Sequence, residues 1–347
     1  MFKFFQKNQY QLTVDGYAPI QLEHKETVLN GALRSSIGFP HSCKAGGCAA
    51  CKCKLVSGKV KELTDKSYML TKEELEQNMI LGCQSIPKSD VIIELPNNPQ
   101  QQQECTGTII LQRKLTADIA EIIINIDTPL NYLSGQFAQI SAVDESHPER
   151  SYSFAHASPI NMGGKPCISF IVRAVPSGKM SNWLHSNEAL GKDVDIKASY
   201  GDFYLRQNTQ PMICIARGSG LAPLISILEY ALTLPAQRQR NITLLFGARS
   251  QKDLYYLEEI EAIKSQWQGV FIFKAVLSDE DPASDWQGCR GKVTDFLSSY
   301  LTNACINEGE AYLCGPPTMV DEATKNLLSL GINKNKLYFD KFSDQGR

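Results

Sequence analysis

The chain has 347 residues, of which 43% are hydrophobic and 21% charged, a length that suits two or three domains, each with its own core. Its charge divides as +2 over residues 1–97 and −4 over the remainder, which excludes the basic surface of a nucleic-acid-binding protein. There is no apolar run of about eighteen residues to span a bilayer, and the start, MFKFFQKNQYQ, lacks the apolar core and cleavage site of a secretory signal, so the cytoplasm is the expected compartment.

Strand-like stretches at 10–14 and 18–22 lead to a short helix near 28–37 with Thr27 as its N-cap, then to a cysteine-rich loop. A Thr71-x-x-Glu74 capping box marks a second helix, and the alternating strand VIIEL at 91–95 completes a small α+β unit over residues 1–97. PNNPQQQQE at 96–104 has a linker's composition, with the linker placed at 98–104. From 105 to 208, the β-rich runs TGTIIL, EIIINI, FAQISA, ISFIVRAV and DVDIKA are separated by turn residues, with one helical stretch near 180–188. That pattern predicts an antiparallel barrel. Over 209–347 the period changes. The buried-looking strands MICIA, ITLLF, FIFKAV and AYLC alternate with helices near 223–233, 253–264, 292–301 and 317–330, predicting a doubly wound parallel sheet.

Eleven cysteines, an odd number, argue against a secreted disulfide framework, and four fall within 43–53. Cys43-x4-Cys48-x2-Cys51 followed by Cys83 has the plant-type [2Fe-2S] spacing, which makes these four the candidate metal ligands. Gly46 and Gly47 suit a loop that folds tightly around a cluster. Structural zinc and unrelated buried thiols are the competing readings, but tetrahedral zinc sites usually use two short Cys pairs. Cys53 is the surplus thiol, read as a small buried residue.

With FPHSCKAGGCAACKCKLVSGKVKEL, LGCQSIPKSD and LCGPPTMVD on the page, the chain resembles the oxygenase-coupled ferredoxin–NADH reductase family over nearly its whole length. The resemblance implies three parts: a β-grasp-like [2Fe-2S] ferredoxin domain over 1–97, an antiparallel six-stranded FAD-binding β-barrel over 105–208 and an NAD-binding domain over 209–347. Arg150-Ser-Tyr152-Ser153 resembles the family's flavin motif, in which the Arg meets the pyrophosphate, the Tyr packs on the isoalloxazine and the Ser bonds near N5. A guanidinium fork suits phosphate, an aromatic face suits a flat heterocycle and a hydroxyl serves a ring nitrogen. Gly178-Lys179-Met180-Ser181 resembles the second motif, whose backbone amides cradle the pyrophosphate.

ARGSGLAP at 216–223 follows a strand and precedes a helix, the context of a dinucleotide-binding turn, with Gly218, Ser219 and Gly220 near the phosphates. The family usually has Gly where this chain has Arg217. Either that position has negative φ, or Arg217 adds a phosphate contact. Cys314-Gly315-Pro316 ends a strand, and the resemblance places it against the nicotinamide. Near the end of the chain, Phe342, or else Phe339, resembles the aromatic that covers the flavin. Arg249 with Ser250 suits a 2′-phosphate, whereas Asp253 suits a ribose hydroxyl; the family is mostly NADH-using, so NADH is expected over NADPH. Cys314, Ser153 and Phe342 are the candidate catalytic residues.

These parts imply electron flow from NADH through FAD and the cluster to a monooxygenase or hydroxylase, soluble or membrane-bound and di-iron. A ring-hydroxylating dioxygenase, a fatty-acid desaturase or a deoxysugar dehydratase are the alternative partners. The competing reading is a docking module with a dead metal site on a stand-alone flavin enzyme, against which the complete cysteine set argues. Lys44, Lys52 and Lys54 near the loop suggest docking to an acidic partner surface. A monomer is expected.

Overall fold

The computed structural model describes residues 10–15, 17–35, 37, 39–41, 44–46, 49–70, 72–95, 103–144 and 146–342. Two compact units emerge, Met1–Gln101 and Gln102–Arg347. Among the described residues, no helix is long and apolar enough to cross a membrane.

The first unit contains β1 (Gln11–Val14), β2 (Ile20–Gln21), α1 (Val28–Arg34), β3 (Lys52–Ser57), β4 (Val60–Glu62), α2 (Lys72–Glu76), β5 (Met79–Leu81), β6 (Ser85–Pro87) and β7 (Val91–Glu94). Five strands form one sheet in the order β2-β1-β7-β3-β5, and β4 pairs with β6. β1 and β7 run parallel, with Leu12 opposite Val91, while the other neighbours are antiparallel. Because side chains alternate across a strand, Leu12 and Val14 both face inward, where Val28, Leu29 and Ala32 of α1 cover them. The helix starts where Thr27 accepts a hydrogen bond from the Asn30 amide at 3.2 Å, a cap worth about 1 kcal/mol.

The second unit opens with β8 (Gln103–Lys114), β9 (Ile119–Ile126), β10 (Phe137–Ala142), β11 (Arg150–Ser153), β12 (Ile160–Met162), β13 (Lys165–Arg173), α3 (Lys179–Leu184) and β14 (Asp193–Tyr200). The strand order is β11-β10-β14-β8-β9-β13-β12, antiparallel throughout. Phe154, just past β11, bridges Phe170 of β13, so six strands curl into a barrel and the short β12 is an arm on its edge. Ile122, Ile124, Ile140, Ile168, Phe170 and Ile196 fill the barrel. β8 begins inside the stretch read as linker, because Gln103 and Glu104 pair with Ala198 and Lys197.

The remaining elements are β15 (Met212–Arg217), α4 (Leu221–Thr233), β16 (Ile242–Ala248), α5 (Leu257–Gln266), β17 (Phe271–Leu277), β18 (Cys289–Arg290), α6 (Leu297–Tyr300), α7 (Asn303–Glu308), β19 (Glu310–Gly315), α8 (Pro317–Leu330) and β20 (Leu337–Lys341). The sheet is wholly parallel, in the order β18-β17-β16-β15-β19-β20. Its central strand is apolar on both sides: Met212, Cys214 and Ala216 pack into one cluster, Ile213 and Ile215 into the other. The first of these clusters also takes Ile119, Ala155, Ile171, Phe203 and Leu205 from the barrel and the segment that leaves β14, so one apolar cluster joins the outside of the barrel to the parallel sheet.

Candidate functional site

Of the four cysteines read as iron ligands, Cys51 and Cys83 are described; Cys43 and Cys48 lie outside the described residues, as do Gly47 and the cap residue Thr71. Cys51 leads into β3, and Cys83 sits in the turn after β5. Pairing of these strands, Lys52 opposite Leu81, brings the two buried sulfurs to 3.2 Å. A disulfide would hold them at about 2.05 Å, so the two sulfurs share one place with no bond between them. The Cys83 amide donates to Cys51 Sγ at 3.5 Å, and Gln84 Nε2 lies 3.6 Å from Cys83 Sγ. N–H groups aimed at sulfur favour thiolates, the form iron binds, so this half of the loop fits the cluster. Cys53 points instead into the core, where burial first and the charge of Cys83 second push its thiol up. Lys52 pairs with Glu74 at 2.6 Å and Lys54 with Glu94 at 3.6 Å. Two of the three cations expected to face a partner are therefore already balanced by carboxylates.

In the barrel, Arg150 and Tyr152 share a face of β11, opposite Ile140 and Ala138 of β10, and Ser153 is buried at the strand's end. Burial raises the Tyr152 phenol, more than the neighbouring Arg150 lowers it, so the ring stays neutral. His147 stacks on Trp183 with ring centroids 4.6 Å apart, which holds the segment entering Arg150 against α3. That helix starts at Lys179 from Gly178, which supplies no side-chain cap. A Cβ at Gly178 would lie 2.6 Å from Ser181 Oγ and 3.1 Å from Val175. Val175 N donates to Ser181 Oγ at 3.1 Å, and Asn182 Nδ2 donates to Val175 O at 3.0 Å and Gly178 O at 2.7 Å, fixing the loop. Asn182 is a loop-holding residue that motif reading missed. Lys179 is exposed, while Met180 is buried in the barrel core, leaving only its backbone for a ligand. A loop whose tip has no room for a side chain, opening a helix with no side-chain cap, fits a pyrophosphate.

In the parallel sheet, strand order reverses between β15 and β19, and ligands of such sheets bind in the crevice beyond the strand ends at that switch. Both candidate turns lie there. A Cβ on Gly220 would sit 2.3 Å from Cys314 O, and one on Gly315, at φ +147°, would sit 3.0 Å from Arg217 O. Each turn thus needs its glycine because the other approaches so closely. Arg217 itself has φ −141°, extended backbone that tolerates a side chain. Tyr255 OH donates to Gly218 O at 2.9 Å beneath the turn. Cys314 is fully buried, and burial, aided by Asp340, pushes its thiol well up, so it presents a neutral S–H and not a nucleophile. Pro316 caps α8, with Pro317 in its first turn. The Phe342 amide donates to Gly315 O at 2.9 Å, and its side chain packs against the cluster holding Cys314 and Ala155. Phe339 packs on the opposite face of the sheet.

Arg249, just past β16, is held by two carboxylates: Asp253 Oδ1 at 2.7 Å and Asp118 Oδ2 of the barrel at 3.2 Å. Asp253 also accepts from the amide and hydroxyl of Ser250 at 3.0 and 2.9 Å. All three residues weighed for the 2′ position therefore hold one another.

Three family models match in series: the 2Fe-2S iron-sulfur cluster binding domain over residues 12–88, the oxidoreductase FAD-binding domain over 107–204 and the oxidoreductase NAD-binding domain over 214–325. The chain is 41% identical over 320 residues to the xylene/toluene monooxygenase electron transfer component of Pseudomonas putida, covering 91% of this chain and 89% of that one. It is 30% identical over 329 residues to the toluate 1,2-dioxygenase electron transfer component of Pseudomonas putida, covering 92% and 93%. Among solved structures, the ferredoxin reductase in carbazole 1,9a-dioxygenase is similar with a TM-score of 0.68 and 27% identity, covering 97% of this chain and 99% of that one.

Proposed function

Because the chain belongs to the iron-sulfur flavoprotein reductases that supply electrons to oxygenases, we propose that it draws electrons from NADH and delivers them to a monooxygenase acting on an aromatic hydrocarbon. The observation that carries this is the 41% identity to a xylene/toluene monooxygenase component along nearly the whole of both chains. A ring-hydroxylating dioxygenase is the second reading, supported by the toluate dioxygenase component.

When bound, FAD takes a hydride from nicotinamide and releases electrons singly, and the cluster carries one electron at a time. The chain's own residues hold and align these groups. Cys43, Cys48, Cys51 and Cys83 would ligate the irons, with the Cys83 amide donating to sulfur. Arg150 and the backbone of Gly178, Lys179, Met180 and Ser181 would hold the FAD pyrophosphate, Tyr152 would lie along the ring system, and Ser153 would offer a hydroxyl to it. Gly218, Ser219 and Gly220 would admit the NADH phosphates. Cys314, Gly315 and Pro316 would form an uncharged wall for the nicotinamide, with Phe342 covering the same place when it is absent.

NADH is favoured over NADPH because Arg249 is already neutralised: a 2′-phosphate there would meet the charges of Asp118 and Asp253. We place the protein in the cytoplasm, since an odd number of cysteines, eleven, with four gathered within 43–53, suits a metal-binding chain of a reducing compartment better than a disulfide framework. Domain limits of 1–97, 103–208 and 209–347 follow from the same reading, the second beginning with β8. Iron, sulfide and flavin analysis of anaerobically purified protein tests it: a [2Fe-2S] cluster and FAD on every chain are expected, and iron near zero contradicts the relay.

A further inference from the structure

His156 lies three residues beyond Ser153, on the backbone that leaves β11. Its ring stands between two carboxylates. Nδ1 is 3.0 Å from Glu229 Oε1 and 3.2 Å from Oε2 on α4, the helix that begins at the ARGSGLAP turn. Nε2 is 3.5 Å from Glu121 Oε1 on β9, on the strand face that turns away from the barrel interior, beside Ile119. The main chain docks at the same point: His156 O accepts from Ser226 Oγ of α4 at 2.8 Å and from Tyr132 OH at 3.2 Å, and the Ala157 amide donates to Glu229 Oε2 at 3.0 Å.

The charges around this ring alternate. Glu121, with a side chain only 3% exposed, accepts from Ser169 Oγ at 2.6 Å and from Arg113 Nε of β8 at 2.8 Å. Arg113 in turn reaches Glu259 of α5 at 3.3 Å. The series Glu259–Arg113–Glu121–His156–Glu229 therefore starts on the NAD-binding part, passes along the outside of the barrel and returns to the NAD-binding part. A neutral imidazole has one N–H and one lone pair. It can serve one carboxylate only by turning its lone pair on the other. The imidazolium donates to both.

We propose that His156, as an imidazolium, is a positioning residue that fixes the flavin-bearing strand against the helix leading from the NADH-phosphate turn, and so sets the alignment for hydride transfer. The inference rests on reading Arg150–Ser153 as the flavin strand. Burial opposes the charge on His156, but the contacts with Glu121 and Glu229 outweigh it and hold the pKa up at about 9. Burial likewise opposes the charge on Glu121, and His156, Ser169 and Arg113 together bring it down to about 2. The Tyr256 hydroxyl, raised by burial and by Glu121, is neutral beside them. Since the folded pKa of His156 lies above the ordinary value of 6.5, the stability the clamp contributes is fully present below about pH 6.5, and the clamp itself is lost as pH rises through about 9.

The test uses the full chain in three forms: wild type, His156→Gln and Glu229→Gln. Proton NMR of the five histidines, recorded on protein stripped of FAD, is expected to show one ring titrating near 9, absent in His156→Gln and shifted down in Glu229→Gln. With FAD bound, NADH-driven flavin reduction at pH 7 should fall about 10- to 100-fold in His156→Gln at unchanged FAD content. The wild-type rate should decline through pH 9, while that of the variant stays flat. Should His156→Gln fail to fold, Glu229→Gln must show both the lowered titration and a slower reduction. A midpoint near 6.5 in wild type overturns the clamp, and so do equal rates with the same pH profile. Wild-type chain that binds no FAD overturns the flavin reading and, with it, the positional role.

Discussion

Arg249 of the NAD-binding part donates to Asp118 of the barrel at 3.2 Å, so a carboxylate from one part faces the cation of the other that we propose as the neighbour of the 2′ position. The Arg249 side chain is 47% exposed, so the pairing is worth about 1 kcal/mol at most. Asp118→Asn should therefore raise the NADPH-to-NADH ratio of kcat/KM by roughly five-fold. Steady-state rates with both nucleotides at low salt check this; an unchanged ratio removes Asp118 from coenzyme choice.

The close approach of Gly220 to Cys314 O makes a second prediction. A methyl group there has no room, because the neighbour 2.3 Å away is backbone. Gly220→Ala should lower flavin reduction by NADH by about ten-fold or more while FAD stays bound. Gly163→Ala, in the turn between β12 and β13, is the control: its φ is +61° and nothing lies within 4 Å of the added carbon. That variant should show only the strain of a left-handed alanine, about 1 kcal/mol in stability.

Deep in the parallel sheet, Arg240 and Glu310 pair at 2.6 Å with side chains 0% and 1% exposed. Glu310 also accepts from Tyr312 OH at 2.8 Å and Asn208 Nδ2 at 2.5 Å. Removing the cation strands a buried carboxylate, so Arg240→Met should cost about 3–5 kcal/mol, and the double variant Arg240→Met/Glu310→Leu should cost less than the single one. All three tryptophans lie beyond residue 102, so tryptophan fluorescence during denaturant unfolding reports on this unit alone.

Local signals carried much of this architecture. Thr27 caps α1 where its side chain suggests, though the helix ends at Arg34 instead of continuing to 37, and α8 spans Pro317–Leu330 as its proline start and apolar period imply. The helix expected near 292–301 is instead a tight turn over Val293–Phe296 followed by α6, and α7 and β20 gave no periodic signal long enough to be seen. Strand β20 holds its place by pairing with β19, a contact no local pattern encodes. The same limit hid the clamp around His156 and the partner of Arg249. Glu229 is 73 residues from His156 and Asp118 is 131 from Arg249, so these charges meet only once the chain has folded. Motif spacing reveals cofactor sites because their residues cluster in short loops; it is silent on the ion pairs that align one loop with another.

The relay from flavin through the cluster to the partner is tested most directly by Cys83→Ser. The variant and wild type, at equal FAD content, are assayed with NADH and two acceptors: ferricyanide, small enough to reach reduced flavin, and the oxygenase partner. Ferricyanide reduction should stay near the wild-type rate, while transfer to the oxygenase should be nearly abolished, since single electrons leave for the partner from the cluster. Residues 104–347 expressed alone should behave in the same way. If either form reduces the oxygenase as fast as the intact chain, electrons leave from the flavin directly and the relay is contradicted.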